Sequence, residues 1–275
     1  MDRRDAGHIM KHAKTALSIA GSDSGGGAGI QADLKTFAAL GVHGATAITA
    51  ITAQNTLGVR SVHALEPKVV VEQIEAVLDD FDVAAIKIGM LATPSLVAAV
   101  AHALRRREPR PFVVYDPVMT ASSGDSLFQA GFVESLAALM PFVDCLTPNL
   151  AEAAALLGQT CAASEDEMLR QGHALRQRGA RAVLMKGGHL EGLEAVDWLI
   201  TDEDSFRFAA RRAPSHNLHG TGCTLSSALA AYIALGASLH HAARCAKEFI
   251  SFAITNGATF RLGSGAGPVL QVMLR

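Results

Sequence analysis

The chain has 275 residues, of which 49% are hydrophobic and 18% charged, and 24 Lys and Arg against 26 Asp and Glu leave a formal net charge of −2. That hydrophobic fraction excludes intrinsic disorder. The near-neutral balance leaves no electrostatic footprint for nucleic acid or an anionic membrane.

In chain order, residues 1–14 are polar and basic and lack the apolar stretch of a secretory signal. They read as a flexible extension. Residues 15–20 form a first strand, followed by a glycine loop and a helix over 28–40. Residues 45–53, β-branched and apolar, form the second strand. Pro67 opens a helix to about 78, and 84–88 is a strand. Thr93 and Pro94 start the next helix as N-cap and first residue. Residues 112–115 and 144–146 are strands, and Thr147 with Pro148 starts a helix the same way. Ser164 and Glu167 form a capping box for a helix to about 178. After a strand at 182–185, residues 196–200 and 206–209 pair antiparallel around the acidic turn 202–204. Helices over 221–235 and 239–257 close the chain.

This alternation gives an α/β fold, a mostly parallel sheet with helices on both faces. No linker or repeat divides it, so 15–275 reads as one domain. No apolar run reaches the ~18 residues a bilayer span needs. The cysteines, Cys145, Cys161, Cys223 and Cys245, have neither a C-x-x-C nor a zinc-finger spacing. A reduced, cytoplasmic protein is expected. Ligands of such a sheet bind beyond the carboxyl ends of its strands, so motifs that follow strands carry the weight.

The first such motif, 21–33, has Gly27, Gly29 and Ala32 in the dinucleotide spacing G-x-G-x-x-A. That fingerprint needs a carboxylate at the end of the second strand, where this chain has Gln54, Asn55 and Thr56. No Gly-Lys-Ser/Thr exists for a Walker loop. What remains is a loop that lets a ligand approach the backbone, with Asp23 as a turn cap and Asp33 on the following helix. Gln54 offers a donor and an acceptor to an amino-heterocycle, or serves the turn.

The second motif, His219-Gly220-Thr221-Gly222-Cys223, opens a helix. Converging backbone N–H groups and the helix N-terminus make an anion hole, with Thr221 as a possible cap. Cys223 in the first turn is expected to have a lowered pKa, as base, nucleophile or small filler. A Cys/His hydrolase is disfavoured, since His219 shares one tight loop with Cys223. Asn149 and Glu152, at i and i+3, suit phosphate and hydrated Mg²⁺, or are an ordinary first helical turn. Lys186 follows a strand and could neutralise a transferring phosphoryl group. Asp116 also ends a strand, and Met90 and Val118 could sandwich a flat ring or be core. Together these are the parts for phosphoryl transfer.

Seven segments carry a resemblance: AGSDSGGGAGIQADLKT (20–36), TAQNT (52–56), KIGM (87–90), DPVM (116–119), TPNLAEAAALL (147–157), LMKGGH (184–189) and HGTGCTLSSALAA (219–231). In order and spacing the chain resembles the hydroxymethylpyrimidine/phosphomethylpyrimidine kinases of thiamine biosynthesis, in the ribokinase-like superfamily. The resemblance implies a three-layer α/β/α fold, ATP and Mg²⁺. It implies phosphorylation of 4-amino-5-hydroxymethyl-2-methylpyrimidine to its monophosphate, then to its diphosphate. By position, Gly21, Asp33, Gln54, Met90 and Val118 match the pyrimidine site. Gly220, Thr221 and Gly222 match the anion hole, and Cys223 the base. Asn149 and Glu152 match the element that organises phosphate and Mg²⁺. Lys186 matches a lysine at the phosphates, and Asp116 lies near the metal.

Two positions depart from the pattern. Ser122, Ser123 and Gly124 stand where the family has a lysine, and Leu218 where it commonly has Thr. The first bears on a phosphate contact in the second phosphorylation. The additional thiamine-pathway domain fused in some relatives is not expected after Arg275. A pyridoxal or pyridoxine kinase is the alternative within the superfamily, and a non-catalytic pyrimidine-phosphate binder the alternative outside catalysis. Residues 122–126 are the candidate lid. A homodimer is expected by analogy, with no nucleic-acid or membrane partner.

Overall fold

In β1 (Thr15–Asp23), Leu17 and Ile19 bury into one hydrophobic cluster and Ala16 into another. β5 (Phe112–Tyr115) and β7 (Ala182–Gly187) repeat the pattern. Val113, Tyr115, Val183 and Met185 face the first cluster, while Val114, Ala182 and Leu184 face the second. Strands apolar on both sides need helices on both sides. The structure, a computed structural model, describes residues 13–119 and 130–274 and supplies that cover.

Helices α2 (Pro67–Asp80), α3 (Pro94–Arg105), the short α4 (Phe132–Ser135), α5 (Leu150–Leu157) and α6 (Glu165–Gln177) pack into the first cluster. Helices α1 (Gly29–Ala39), α7 (Thr221–Ala234) and α8 (Leu239–Gly257) pack into the second. The remaining strands are β2 (His43–Asn55), β3 (Gly58–Ala64), β4 (Val83–Ile88), β6 (Cys145–Leu146), β8 (Glu194–Ile200) and β9 (Ser205–Arg211). They form one nine-stranded sheet in the order β3-β2-β1-β4-β5-β6-β7-β8-β9. Strands β2, β1, β4, β5, β6 and β7 run parallel. β3, β8 and β9 are antiparallel additions at the edges. This is the expected three-layer, mostly parallel α/β/α sandwich. The carboxyl ends of the parallel strands share one rim. No helix of the described residues is long and apolar enough to cross a membrane.

Three local expectations change. β2 runs two residues past its expected end and turns back as β3, a strand not expected from the sequence. Asn55 makes that turn, its Oδ1 accepting from Leu57 N at 2.9 Å. Thr147 and Pro148 do not start α5. Thr147 N still donates to Tyr115 O at 2.8 Å and Pro148 O accepts from Lys186 N at 2.8 Å, so the chain remains in the sheet. The helix begins at Leu150 behind the Asn149 cap. Ser164 caps α6, but the Glu167 carboxylate accepts from Ala163 N rather than from Ser164 N. Thr93 and Pro94 start α3 as expected, with Thr93 accepting from Leu96 N. Residues 1–12 of the expected extension, and the lid and departure at 122–126, lie outside the described residues.

Candidate active site

A cavity of about 770 Å³ opens on the rim. Gly21, Gln54, Met90, Val118, Asp116, Asn149, Glu152 and Lys186 line it. So do Gly220, Thr221, Gly222 and Cys223. Apart from Asp33, every expected site residue is brought together there.

The first glycine loop is shaped by Asp23. Its Oδ1 accepts from Gly25 N at 2.8 Å, and its Oδ2 from Gly27 N at 3.0 Å and Ala28 N at 2.9 Å. The same Oδ2 lies 2.9 Å from His219 Nε2 on the second loop. Burial works to raise the Asp23 carboxyl, but His219 and the Gly25 and Ala28 N–H donors outweigh it and hold it below its ordinary value. His219 thus faces Asp23, which removes the hydrolase arrangement. The two loops touch so closely that a Cβ on Gly27 would strike the His219 ring. One on Gly220, at φ +79°, would strike the Gly27 carbonyl.

Beside the loops, in the same cavity, lies an apolar slot. Met90 packs with Ala50, Ala92 and Val118. A Cβ on Gly21 would sit 3.0 Å from Met90 Cε, so glycine keeps this wall flat. Gln54 provides the polar edge. Its Oε1 accepts from Thr52 Oγ1 at 3.2 Å, and its Nε2 lies 3.4 Å from His219 Nε2.

At the other end α7 presents its N-terminus. Gly220 is the N-cap and no side chain caps the helix. Thr221, expected as a cap, instead donates from Oγ1 to Leu218 O at 2.6 Å. Thr221 N donates to the same carbonyl at 3.2 Å, so the Gly222 and Cys223 N–H groups are the ones left for an anion. Gly222 closes this hole against a charged trio, since a Cβ there would lie 3.1 Å from Lys186 Nζ. Lys186 Nζ is 2.6 Å from Asp116 Oδ1 and 3.6 Å from Glu152 Oε2. Asp116 also accepts from Ser226 Oγ at 3.2 Å. Asn149 and Glu152 form a closed capping box: Glu152 N donates to Asn149 Oδ1 at 2.9 Å and Asn149 N to Glu152 Oε2 at 2.7 Å. Burial pushes the Glu152 carboxyl up to about 7 against the pull of Lys186, with Asp116 adding to the rise. Burial would lower Lys186, but Asp116 and Glu152 raise it above its ordinary value, so it stays charged.

Asp116 and Glu152 thus both face one ammonium. Their two carboxyl groups fit a Mg²⁺ ion that keeps waters and takes phosphate oxygens as further ligands. Among the described residues no three His, Cys, Asp or Glu side chains form a metal cage.

Two expectations are corrected. Asp33 does not reach the cavity. Its carboxylate is fully buried under the floor, held by Lys87 Nζ at 2.8 and 2.9 Å, Ser18 Oγ at 2.5 Å and Ser227 Oγ at 2.6 Å. The Cys223 thiol is not lowered by the helix end. Burial pushes it up to about 11, while Lys87 and the Gly29 N–H pull it down and Asp33 and Asp116 push it further up. Sequence reasoning also missed Lys87, although a lysine inside the apolar run of β4 signals a buried counter-ion. It missed the pair on the far wall, where Lys247 Nζ lies 2.8 Å from Asp197 Oδ2. Asp197 Oδ1 accepts from Gly187 N at 3.0 Å, tying α8 to the strand that carries Lys186.

An apolar slot that opens onto an anion hole and a lysine, on the rim of this sandwich, defines the ribokinase-like kinases of small molecules. The chain belongs to the phosphomethylpyrimidine kinase family, whose sequence profile matches residues 23–270. A hydroxymethylpyrimidine/phosphomethylpyrimidine kinase of Rhizobium meliloti (strain 1021) is 51% identical over 92% of this chain and 95% of its own length. Two solved structures share the fold. A phosphomethylpyrimidine kinase from Clostridium difficile 630 has TM-score 0.77 and 43% identity, covering 87% of this chain and 99% of its own. A Bacillus subtilis pyridoxal kinase in complex with ADP has TM-score 0.85 and 35% identity, covering 94% and 97%.

Proposed function

We propose that this protein phosphorylates 4-amino-5-hydroxymethyl-2-methylpyrimidine with ATP, and then its monophosphate, in thiamine biosynthesis. The single observation that carries this is the slot of Gly21, Met90, Val118 and Gln54 opening onto the α7 anion hole within one cavity. The pyrimidine ring stacks between Met90 and Val118, and Gln54 meets its amino edge. Its hydroxymethyl arm then points toward Cys223 and the glycines.

In the first step the γ-phosphoryl group moves from ATP to the hydroxymethyl oxygen. ADP leaves, and the hydroxyl proton passes to the Cys223 sulfur. The N–H groups at Gly220 and Gly222 and the Lys186 ammonium hold the phosphoryl oxygens as charge spreads over them, while the Thr221 N–H stays on Leu218 O. Asn149 caps the first turn of α5 with its side chain, and its backbone N–H holds the Glu152 carboxylate. Glu152 and Asp116 would hold Mg²⁺, which neutralises phosphate charge when bound. In the second step the acceptor is a phosphate oxygen of the monophosphate, and no alcohol proton has to be removed.

Residues 15–275 act as a single kinase domain, and the protein works as a cytoplasmic homodimer. Phosphorus NMR of the products from ATP and the hydroxymethylpyrimidine tests the reading, with both monophosphate and diphosphate resonances expected. The fold is also that of pyridoxal kinases, so pyridoxal is the competing alcohol. A higher kcat/KM for pyridoxal than for the hydroxymethylpyrimidine would overturn the assignment.

A further inference from the structure

Lys87 is a lysine with no exposure to solvent, placed in the middle of β4. It pairs in register with Ser18 of β1, and both lie between the sheet and helices α1 and α7. Asp33 of α1 neutralises it, and Ser18 and Ser227 each donate to the same carboxylate. Ser227 is one turn beyond Cys223 on the same face of α7, so the cluster lies one helical turn along from the cysteine. Lys87 itself reaches the cavity wall that Cys223 shares. Other charged groups acting on Cys223 include Asp116 beyond β5 and Lys186 at the end of β7, which bind each other at 2.6 Å. The Gly29 N–H, at the start of α1, adds a donor to the sulfur.

A buried ammonium is tolerated only with a counter-charge. Here Asp33 alone balances it within the cluster, and both flank one ionisable sulfur. Lys87 favours the thiolate and Asp33 opposes it.

We propose that Lys87 is a positioning residue that sets the charge state of Cys223, with Asp33 as the opposing half of the same device rather than a substrate ligand. This deepens the assignment of Cys223 as proton acceptor and rests on it for its catalytic meaning. Lys87 touches neither pyrimidine nor phosphate in this scheme.

The test reads the sulfur directly. In a Cys161→Ser/Cys245→Ser background, iodoacetamide labelling of Cys223 is followed by mass spectrometry as a function of pH. Cys145 remains, buried and pushed up to about 12. Lys87→Met is expected to move the labelling midpoint to higher pH. Labelling near pH 8 then slows about tenfold for every pH unit the midpoint moves. Asp33→Asn is expected to move it down and speed labelling. A merely structural role would loosen the site in both variants and move both midpoints the same way. That result, or an unmoved midpoint in both, overturns the proposal.

Should Lys87→Met fail to fold, the charge-neutral double variant Asp33→Asn/Lys87→Met decides. It must label more slowly than Asp33→Asn alone, and equal rates overturn the proposal. Unchanged turnover in Cys223→Ala, with the two midpoints moving in opposite directions, would remove the base assignment and leave the charge device standing.

Discussion

Cys223 shows how a residue's surroundings outweigh its position in a helix. A first-turn cysteine gains from the helix end, yet burial leaves this thiol near 11. The thiolate is then a minority form at neutral pH, and below that value its population rises about tenfold for each pH unit gained. A scarce base is a strong one, and the rate follows the product of the two. We therefore expect kcat for the first phosphorylation to climb with pH from about 7 to 9. Cys223→Ala should flatten that limb and lower kcat by about 10²-fold or more. A steady-state pH profile checks both, and an unchanged slope in the variant rejects the base. Asp23 and His219 teach a different lesson at this scale. They are 196 positions apart, and no local pattern joins them, so Asp23 read only as a turn cap. Its carboxyl is lowered, so its ionised form contributes stability above its ordinary value of 3.8. That contribution is lost as pH falls through the still lower folded value. Asp23→Asn should remove this part of the acid limb in thermal melts. A parent-like acid limb in the variant would exclude the Asp23 pair as its source.

Element boundaries were legible where the signal is local and misread where the sheet decides. Thr93 and Pro94 announce α3 because cap and first residue are adjacent and nothing competes. The same Thr-Pro pair at 147 fails, since β5 and β7 claim its backbone groups. β3 was missed because it is an exposed, polar edge strand with residues such as Arg60, Ser61 and His63, which shows no buried face to read. The glycine loops were legible as loops that follow a strand and open a helix, but not as one interlocked unit lining a single cavity, because the fit of Gly220 onto the Gly27 carbonyl exists only in three dimensions. The α5 cap is where element stability meets chemistry. Asn149→Ala removes the acceptor for Glu152 N and should cost about 1 kcal/mol. The Glu152 side chain keeps its bond to the backbone N at 149, so its carboxylate stays near Lys186. Chemical denaturation should show that loss while Glu152→Gln, which preserves the box, shows less of it. Turnover should order the other way, with Glu152→Gln the slower enzyme, since it removes the carboxylate that would hold Mg²⁺.

The whole molecule carries a charge of only −2 yet handles the most anionic of common substrates. In the proposed mechanism the groups that meet those anions lie out of solvent. Lys186 is mostly buried and fixed between two carboxylates, and the other donors are backbone N–H groups at a helix end. Two electrostatic regimes follow different laws. Surface charges steer ligands over long range and are screened beyond a Debye length of about 10 Å at 0.1 M salt. Buried charges and fixed dipoles act at contact and are screened little. A near-neutral surface with a charged interior belongs to the second regime. At saturating Mg²⁺, kcat/KM for ATP is expected to fall less than about threefold between roughly 0.05 and 0.5 M salt. A basic surface that captures nucleotide by steering would lose more than about tenfold over that range. Steady-state kinetics across an ionic-strength series distinguishes the two, and the steeper fall would locate anion capture on the exterior rather than at α7 and Lys186.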